Sequence, residues 1–220
     1  MKNSLKIRYN FIKYTINNLY RDLNITCYPI DPFKIINYFD NIKAISYSLF
    51  KEKTHINDEQ LLNITKSKIG CCEHKRTTDK YMILYNDKCT SKGRILWTII
   101  HELGHIMCNH YNIEFPPTLT DDEIYDFKER EANFFTSQFL AHPAILKNLD
   151  LKESYYLETY CGLSKEAALN RYNNFITYDS NHGYFYTDSI VLDNFKEYLE
   201  EKNEDYLIQQ KFIDSFIAAY

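Results

Sequence analysis

Residues 81–110 read YMILYNDKCTSKGRILWTIIHELGHIMCNH, and this stretch decides the fold. Its first five residues are apolar or aromatic and precede an Asn-Asp pair, which is typical of a strand followed by a turn. A helix is predicted after the turn, running to about residue 110, because residues 95–100, directly before His101, are almost all apolar. Residues 101–105 of that helix have the pattern H-E-x-x-H.

The H-E-x-x-H pattern has a direct chemical meaning on a helix. His101 and His105 lie one turn apart, so their imidazoles can reach one metal ion together. Glu102 projects to the side, where its carboxylate can take the proton of a water molecule at the metal. Zn²⁺ suits this task because it brings the pKa of such a water towards about 7. We therefore predict a zinc-dependent hydrolase; the alternative is a pair of core histidines satisfied by hydrogen bonds alone. Gly104 also indicates that another backbone approaches the helix closely.

A catalytic zinc site usually takes a third ligand from the protein. The longer pattern H-E-x-x-H-x-x-G-x-x-H is absent, because residues 108 and 111 are Cys and Tyr and His110 is one position out of step. A carboxylate from a second helix is therefore expected. The helix predicted over 120–140, which opens with a capping box, offers two glutamates at 129 and 131.

Glu129 and Glu131 point about 200° apart on a helix and cannot both face the metal. Glu131 lies in the middle of the apolar face with Phe127 and Phe135, whereas Glu129 lies on the opposite side with Asp126. A carboxylate on an apolar face costs about several kcal/mol unless something compensates it, and zinc would. We therefore predict Glu131 as the third ligand. The alternative is a buried salt bridge from Glu131 to one of three arginines, namely Arg8, Arg94 or Arg171.

The composition excludes some classes of protein. The chain has 220 residues, 45% hydrophobic and 25% charged, which is ordinary for a globular protein. A net charge of −4 provides no basic field for nucleic acid or anionic lipid. No apolar run reaches the roughly 18–20 residues of a membrane span, and no signal-peptide core follows the N-terminus. We expect a cytoplasmic protein that binds neither membranes nor nucleic acid.

The six cysteines show no C-x-x-C spacing, so scattered reduced thiols are expected rather than a disulfide framework. Cys71, Cys72 and His74 could form a soft metal site, but no second pair of ligands follows at a matching spacing.

Hydrophobic periodicity predicts an α+β fold. An amphipathic helix is expected over 5–23, strands over 42–49 and 81–85, and mainly helices after residue 110. The polar segment 51–80 is expected to form a loop or an irregular edge. The predicted units are a metallopeptidase domain over 1–148 and a helical region over 149–220.

Three pieces of sequence together resemble the ImmA/IrrE family of metallopeptidases: the stretch 81–110, EREANFF at 129–135 and FLAHP at 139–143. The resemblance covers about 25–145. It implies a small gluzincin-like core, in which a small sheet packs on the HExxH helix and on a second, ligand-bearing helix. It also implies that the third ligand is the Glu of the E-A pair, Glu131 here. Residues 151–176 are similar, more weakly, to the helix-turn-helix-like segment that follows this core in the family.

The resemblance also implies a role. Family members cut helix-turn-helix repressors, so the expected activity is a zinc-dependent endopeptidase that acts on such a repressor and regulates gene expression. A non-catalytic, metal-stabilised binding or DNA-recognition module is the main alternative, and a hydrolase of small amides or peptides is another. Glu158 stands four positions before Gly162, where a DNA-reading turn carries a small residue, and this argues against DNA recognition.

Overall fold

The computed structural model describes residues 5–89, 91–149, 151 and 153–218, and its fold class is α+β, as predicted. The strands are β1 (Ile42–Ser46), β2 (Gly70–Lys75) and β3 (Lys80–Tyr85). The helices, in chain order, are α1 (Tyr9–Asp22), α2 (Pro32–Asn37), α3 (Tyr47–Thr54), α4 (Asp58–Thr65), α5 (Lys92–Met107), α6 (Asp121–Leu140), α7 (Pro143–Asn148), α8 (Tyr155–Cys161), α9 (Lys165–Thr177), α10 (Asp188–Asn194) and α11 (Lys196–Ala218), with a 3-10 helix at Asp179–Asn181.

The sheet has the order β1-β3-β2. The central strand β3 pairs parallel to β1 and antiparallel to β2, with Tyr81 opposite Ile42 and Tyr85 opposite Gly70. Ile83 and Leu84 of β3 are fully buried, which explains the unbroken apolar run in this strand. Strand β2 lies at one edge of the sheet and borders a cleft that residues of α5 and α6 also line.

The segment 51–80 supplies an edge of the sheet, as predicted, but it is more regular than predicted, because it contains the end of α3, all of α4 and the edge strand β2. Strand β1 also ends earlier than predicted: the Ser46 side chain accepts a hydrogen bond from the Leu49 amide and starts α3. The residues of β2 are half-buried or exposed, so this strand lacks the apolar signal that identified β3.

Helix α1 is amphipathic, as predicted, and Ile12, Ile16 and Tyr20 on one face are buried in the core. The Tyr20 hydroxyl donates a hydrogen bond to the Phe139 carbonyl oxygen at 2.6 Å, which ties α1 to the end of α6. The predicted capping box at the start of α6 is also present, formed by Thr120 and Glu123.

Helices α5 and α6 pack closely at Gly104. A Cβ atom on Gly104 would lie 3.0 Å from Phe135 Cδ1 and 3.3 Å from the Ala132 carbonyl oxygen. This contact confirms the close backbone approach that the glycine indicated. It also defines the line along which the two helices touch.

A buried histidine lies between α6 and α7. His142 Nε2 donates to Asn17 Oδ1 at 2.9 Å, while its Nδ1 accepts from the Ala144 amide at 3.2 Å. Both ring nitrogens are therefore satisfied in the neutral form. Burial, with smaller contributions from nearby cationic side chains, lowers the pKa of His142 to about 3.

The helix-turn-helix-like segment is present as α8 and α9, joined by a turn in which Gly162 has φ 68°. Arg171 of α9 is buried, and it donates to Asp179 Oδ2 at 2.6 Å and to the Ala141 carbonyl oxygen at 3.0 Å. Buried residues from both sides of residue 148 belong to one core cluster. The predicted boundary there stays a prediction. Within the described residues, no helix has both the length and the apolar composition to cross a membrane.

Candidate metal centre

Helix α5 carries the H-E-x-x-H residues on the border between the core and a cleft. Ile99, Ile100 and Leu103 are fully buried on one side of the helix. His101 and His105 lie on its flank, with side chains 15% and 12% exposed. They line a cleft of about 570 Å³ that α5, α6 and the edge strand β2 enclose.

The two histidines meet as predicted. Their Nε2 atoms lie 3.1 Å apart, and the rings are inclined at 71° to each other. Two unprotonated nitrogens at this distance repel each other unless a proton or a cation lies between them. The pair can therefore share a proton or hold a cation.

The third group beside the histidines is Glu129. Its Oε2 lies 3.4 Å from His101 Nε2, and its Oε1 lies 3.2 Å from His105 Nε2. The ligand atoms of the three residues all fall within 4.8 Å of one another, as a shared metal ion requires. The neighbouring His101 and His105 hold the pKa of the Glu129 carboxyl well below its ordinary value, so the carboxylate is ionised.

The structure corrects the placement of Glu131. This residue is fully buried, as the helical pattern predicted, but its carboxylate contacts Arg8 and His110 and not the histidine pair. Arg8 Nε donates to Glu131 Oε1 at 3.0 Å, and the Arg8 amide donates to the same oxygen at 2.8 Å. The buried salt bridge to Arg8, which was the alternative for Glu131, is thus the arrangement found.

The physical reason lies in where the two helices touch. The line of closest packing runs through Gly104, Ala132 and Phe135, and Glu131 faces the core beside it. A catalytic metal keeps one position open to water and substrate, and a residue at the border of the apolar face can meet the histidines beside the cleft. Glu129 occupies that border, with its side chain 29% exposed. Access to the cleft was the signal in the sequence that could have indicated Glu129, rather than Glu131, as the glutamate beside the histidine pair.

Glu102 faces the same cleft and remains the candidate general base. Burial raises the pKa of its carboxyl to about 7, while His101 acts in the opposite direction and Glu129 adds to the rise. A carboxyl group with a pKa near neutrality is suited to both accepting and returning a proton.

His110 was set aside as a ligand, and the structure gives it another position. It lies behind His105, with the two Nδ1 atoms 3.0 Å apart, and its Nε2 is 3.0 Å from Glu131 Oε2. Burial lowers the pKa of His110, and its hydrogen bond to Glu131 only partly opposes that shift. Burial also opposes the ionisation of Glu131, but hydrogen bonds from His110 and Arg8 lower its pKa to about 2.

Cys108, His110 and Glu131 form a second group of close ligand atoms. Arg8 argues against a metal there, because its cationic guanidinium group already contacts both carboxylate oxygens. Burial also raises the pKa of the Cys108 thiol to about 12, which disfavours a thiolate ligand. We interpret this group as structural support for the first.

Strand β2 contributes two thiols to the cleft. Cys71 and Cys72 line it, and burial raises the pKa of each thiol to about 12. His74 forms a hydrogen bond with Asp79 and stacks on Tyr81. In the described part of the chain, these two thiols and His74 form no group with metal-ligand spacing, so the soft metal site considered from the sequence finds no support.

One helix carries two histidines and a glutamate, and a second helix brings a carboxylate close to the histidines beside a small sheet. This arrangement is typical of a metallopeptidase core. The chain belongs to the ImmA/IrrE family: the family model described as the IrrE N-terminal-like domain matches residues 56–173. The resemblance seen in the sequence is therefore confirmed, and with it a metallopeptidase class that uses a metal ion. No curated protein matches the chain closely enough to add a more specific relative.

Proposed function

We propose that this protein is a zinc-dependent endopeptidase with His101, His105 and Glu129 as metal ligands and Glu102 as the general base. The observation that carries the proposal is the set of separations between the ligand atoms. Zinc binds nitrogen and carboxylate oxygen at about 2.0–2.2 Å, so two ligands of a tetrahedral site lie about 3.3 Å apart. Here the two Nε2 atoms lie 3.1 Å apart, and each lies close to one oxygen of the Glu129 carboxylate, 3.4 Å from Oε2 for His101 and 3.2 Å from Oε1 for His105. Two imidazoles and one carboxylate are also a usual donor set for catalytic zinc.

The residues around the site support hydrolysis. When bound, zinc would polarise the carbonyl group of the substrate and lower the pKa of a water molecule. Glu102 would remove a proton from the attacking water and deliver it to the departing amine. Glu102 lines the cleft next to the histidine pair, so one carboxyl can serve both transfers.

The shape of the cleft supports a polypeptide as substrate. The edge strand β2 borders the cleft, and an extended peptide can pair with such an edge through backbone hydrogen bonds. A second groove of about 620 Å³ adjoins the cleft and shares Trp97 and Asn133 with it. Together they offer space along α5 and α6 for several residues on one side of the reacting bond, which a small amide would not need.

For the target, we propose a cytoplasmic helix-turn-helix repressor whose cleavage changes gene expression. Kinship with the ImmA/IrrE family supports this choice. The α8–α9 segment provides a helical surface beside the second groove, to which Ser164 and Asn170 contribute. A small helical protein could dock there and extend a loop into the cleft.

Glu102→Gln tests the mechanism. The variant should keep the zinc content of the native protein and lose cleavage by about 10²–10⁴-fold, because it removes the base and none of the ligands. Glu114→Gln is the matched control, since Glu114 is exposed in the turn after α5, and it should cleave normally. Retained cleavage by the Glu102 variant would refute the assignment.

Co-expression tests the substrate. The native protein should cut a helix-turn-helix repressor encoded beside it into one or a few defined fragments, and a chelator should stop the reaction. An intact repressor held in a stable complex would instead support the binding-module alternative.

A further inference from the structure

A chain of buried and half-buried polar side chains runs from the candidate metal centre to the N-terminal end of α1. His105 Nδ1 and His110 Nδ1 lie 3.0 Å apart, and His110 Nε2 lies 3.0 Å from Glu131 Oε2. Glu131 in turn accepts hydrogen bonds from the Arg8 side chain and the Arg8 amide. His110 is 2% exposed and Glu131 is fully buried, so water competes little for these bonds.

The charged end of this chain sets the direction of every hydrogen bond in it. Arg8 is always protonated, and an ionised Glu131 can only accept. His110 must therefore carry its proton on Nε2 in order to donate to Glu131. Because Arg8 already balances the charge of Glu131, a neutral His110 fits best, and its Nδ1 is an acceptor.

The acceptor on His110 determines the tautomer of His105. His105 must carry its proton on Nδ1 to donate to His110, which leaves a lone pair on its Nε2. That nitrogen is the atom 3.1 Å from His101 Nε2 and 3.2 Å from the Glu129 carboxylate. The lone pair therefore points to the place where a metal would bind.

We propose that Arg8, Glu131 and His110 are positioning residues, which hold His105 in the tautomer and ring orientation that a metal needs. This inference rests on the proposed function for the presence of the metal. It also gives Glu131 a role that explains its burial without making it a ligand. His101 is held differently: in the described part of the chain, its Nδ1 is buried without a hydrogen-bond partner. The two histidine ligands are thus unequal, and His105 is the one fixed in advance.

The tautomers can be read directly from the zinc-loaded, full-length protein. Long-range ¹⁵N–¹H correlation spectra of histidine-labelled protein distinguish protonated from unprotonated ring nitrogens. We expect His105 to carry its proton on Nδ1 and His110 to carry its proton on Nε2. A proton on Nδ1 of His110 would overturn the inference, and so would an unprotonated Nδ1 on His105.

Glu131→Gln tests the consequence for metal binding. The amide can donate to His110 and so permit the reverse tautomers, which would oppose a lone pair on His105 Nε2. We expect the dissociation constant for zinc to rise about 10–100-fold. Asp126→Asn, at an exposed position on the same helix, is the control and should leave that constant unchanged.

Cobalt separates a positioning role from a ligand role. In the Co²⁺-substituted Glu131→Gln protein, the visible absorption bands should keep their position and intensity, because the ligands are unchanged. Glu129→Gln should alter those bands. Bands altered in the same way by Glu131→Gln would identify Glu131 as a ligand, and an unchanged zinc affinity in a folded variant would exclude the positioning role. These readouts need no peptidase activity, so their failure is distinct from a failure of the proposed hydrolysis.

Discussion

Removing the Glu129 carboxylate should weaken zinc binding strongly. A complete four-ligand zinc site in a small protein binds with about 10–16 kcal/mol, or about 2.5–4 kcal/mol for each ligand. The side chain of Glu129 is 29% exposed, so water can partly replace the lost oxygen and the lower end of this range applies. Since 1.4 kcal/mol corresponds to a factor of ten, Glu129→Gln should raise the dissociation constant about 100-fold.

Competition with a chromophoric chelator measures this constant for the native and variant proteins. Asp126→Asn is the matched control, because Asp126 is exposed on the same helix and its removal changes the net charge equally. Circular dichroism verifies that each variant is folded. A Glu129→Gln protein that binds zinc within about threefold of the native constant would refute the ligand assignment, since solvent replacement cannot offset a true ligand so completely.

Two further predictions concern stability. A Cβ atom on Gly93 of α5 would lie 2.5 Å from the Ser164 amide nitrogen, so Gly93→Ala overpacks this contact. The higher helix propensity of Ala offsets part of the cost, by about 1 kcal/mol. The melting temperature should therefore fall by about 4–8 °C. Gly183→Ala, which meets nothing within 4 Å, is the control, and equal melting temperatures of the two variants would contradict the packing argument. The pKa of His142 is about 3 in the folded protein and should be near 6.5 in the unfolded chain. The contribution of neutral His142 to the free energy of unfolding is therefore complete above about pH 6.5 and decreases as the pH falls. The loss should reach about 2 kcal/mol at pH 5. Urea unfolding at about pH 7 and pH 5 should show this loss in the native protein and in His55→Asn, and a His142→Asn protein with the same pH dependence would disprove it.

The sequence alone predicted the features that depend on neighbours in the chain. Helix α5 follows from its apolar run, and the spacing of His101 and His105 places both imidazoles on one flank wherever the helix packs. The start of α6 follows from the Thr120–Glu123 capping box, and β3 from its unbroken apolar stretch. Each of these patterns is satisfied within a few residues, so it holds without knowledge of the rest of the fold.

The edge strand β2 was decided by its partner. Its residues lack apolar alternation, because the strand pairs with β3 on one side only and is half-exposed. Backbone hydrogen bonds to β3 hold it in place, and any residue except proline can make them. The pairing with β3, and not a pattern in their own sequence, therefore makes residues 70–75 a strand.

The choice between two glutamates on α6 was decided in the same way. Helical periodicity correctly identified Glu131 as the buried residue, but burial did not bring it to the metal centre. The contact of Gly104 with α6 sets how the two helices meet, and that geometry brings Glu129 to the histidines. Glu131 instead meets Arg8, which is 123 residues away in the chain, and no local pattern in the sequence encodes such a contact.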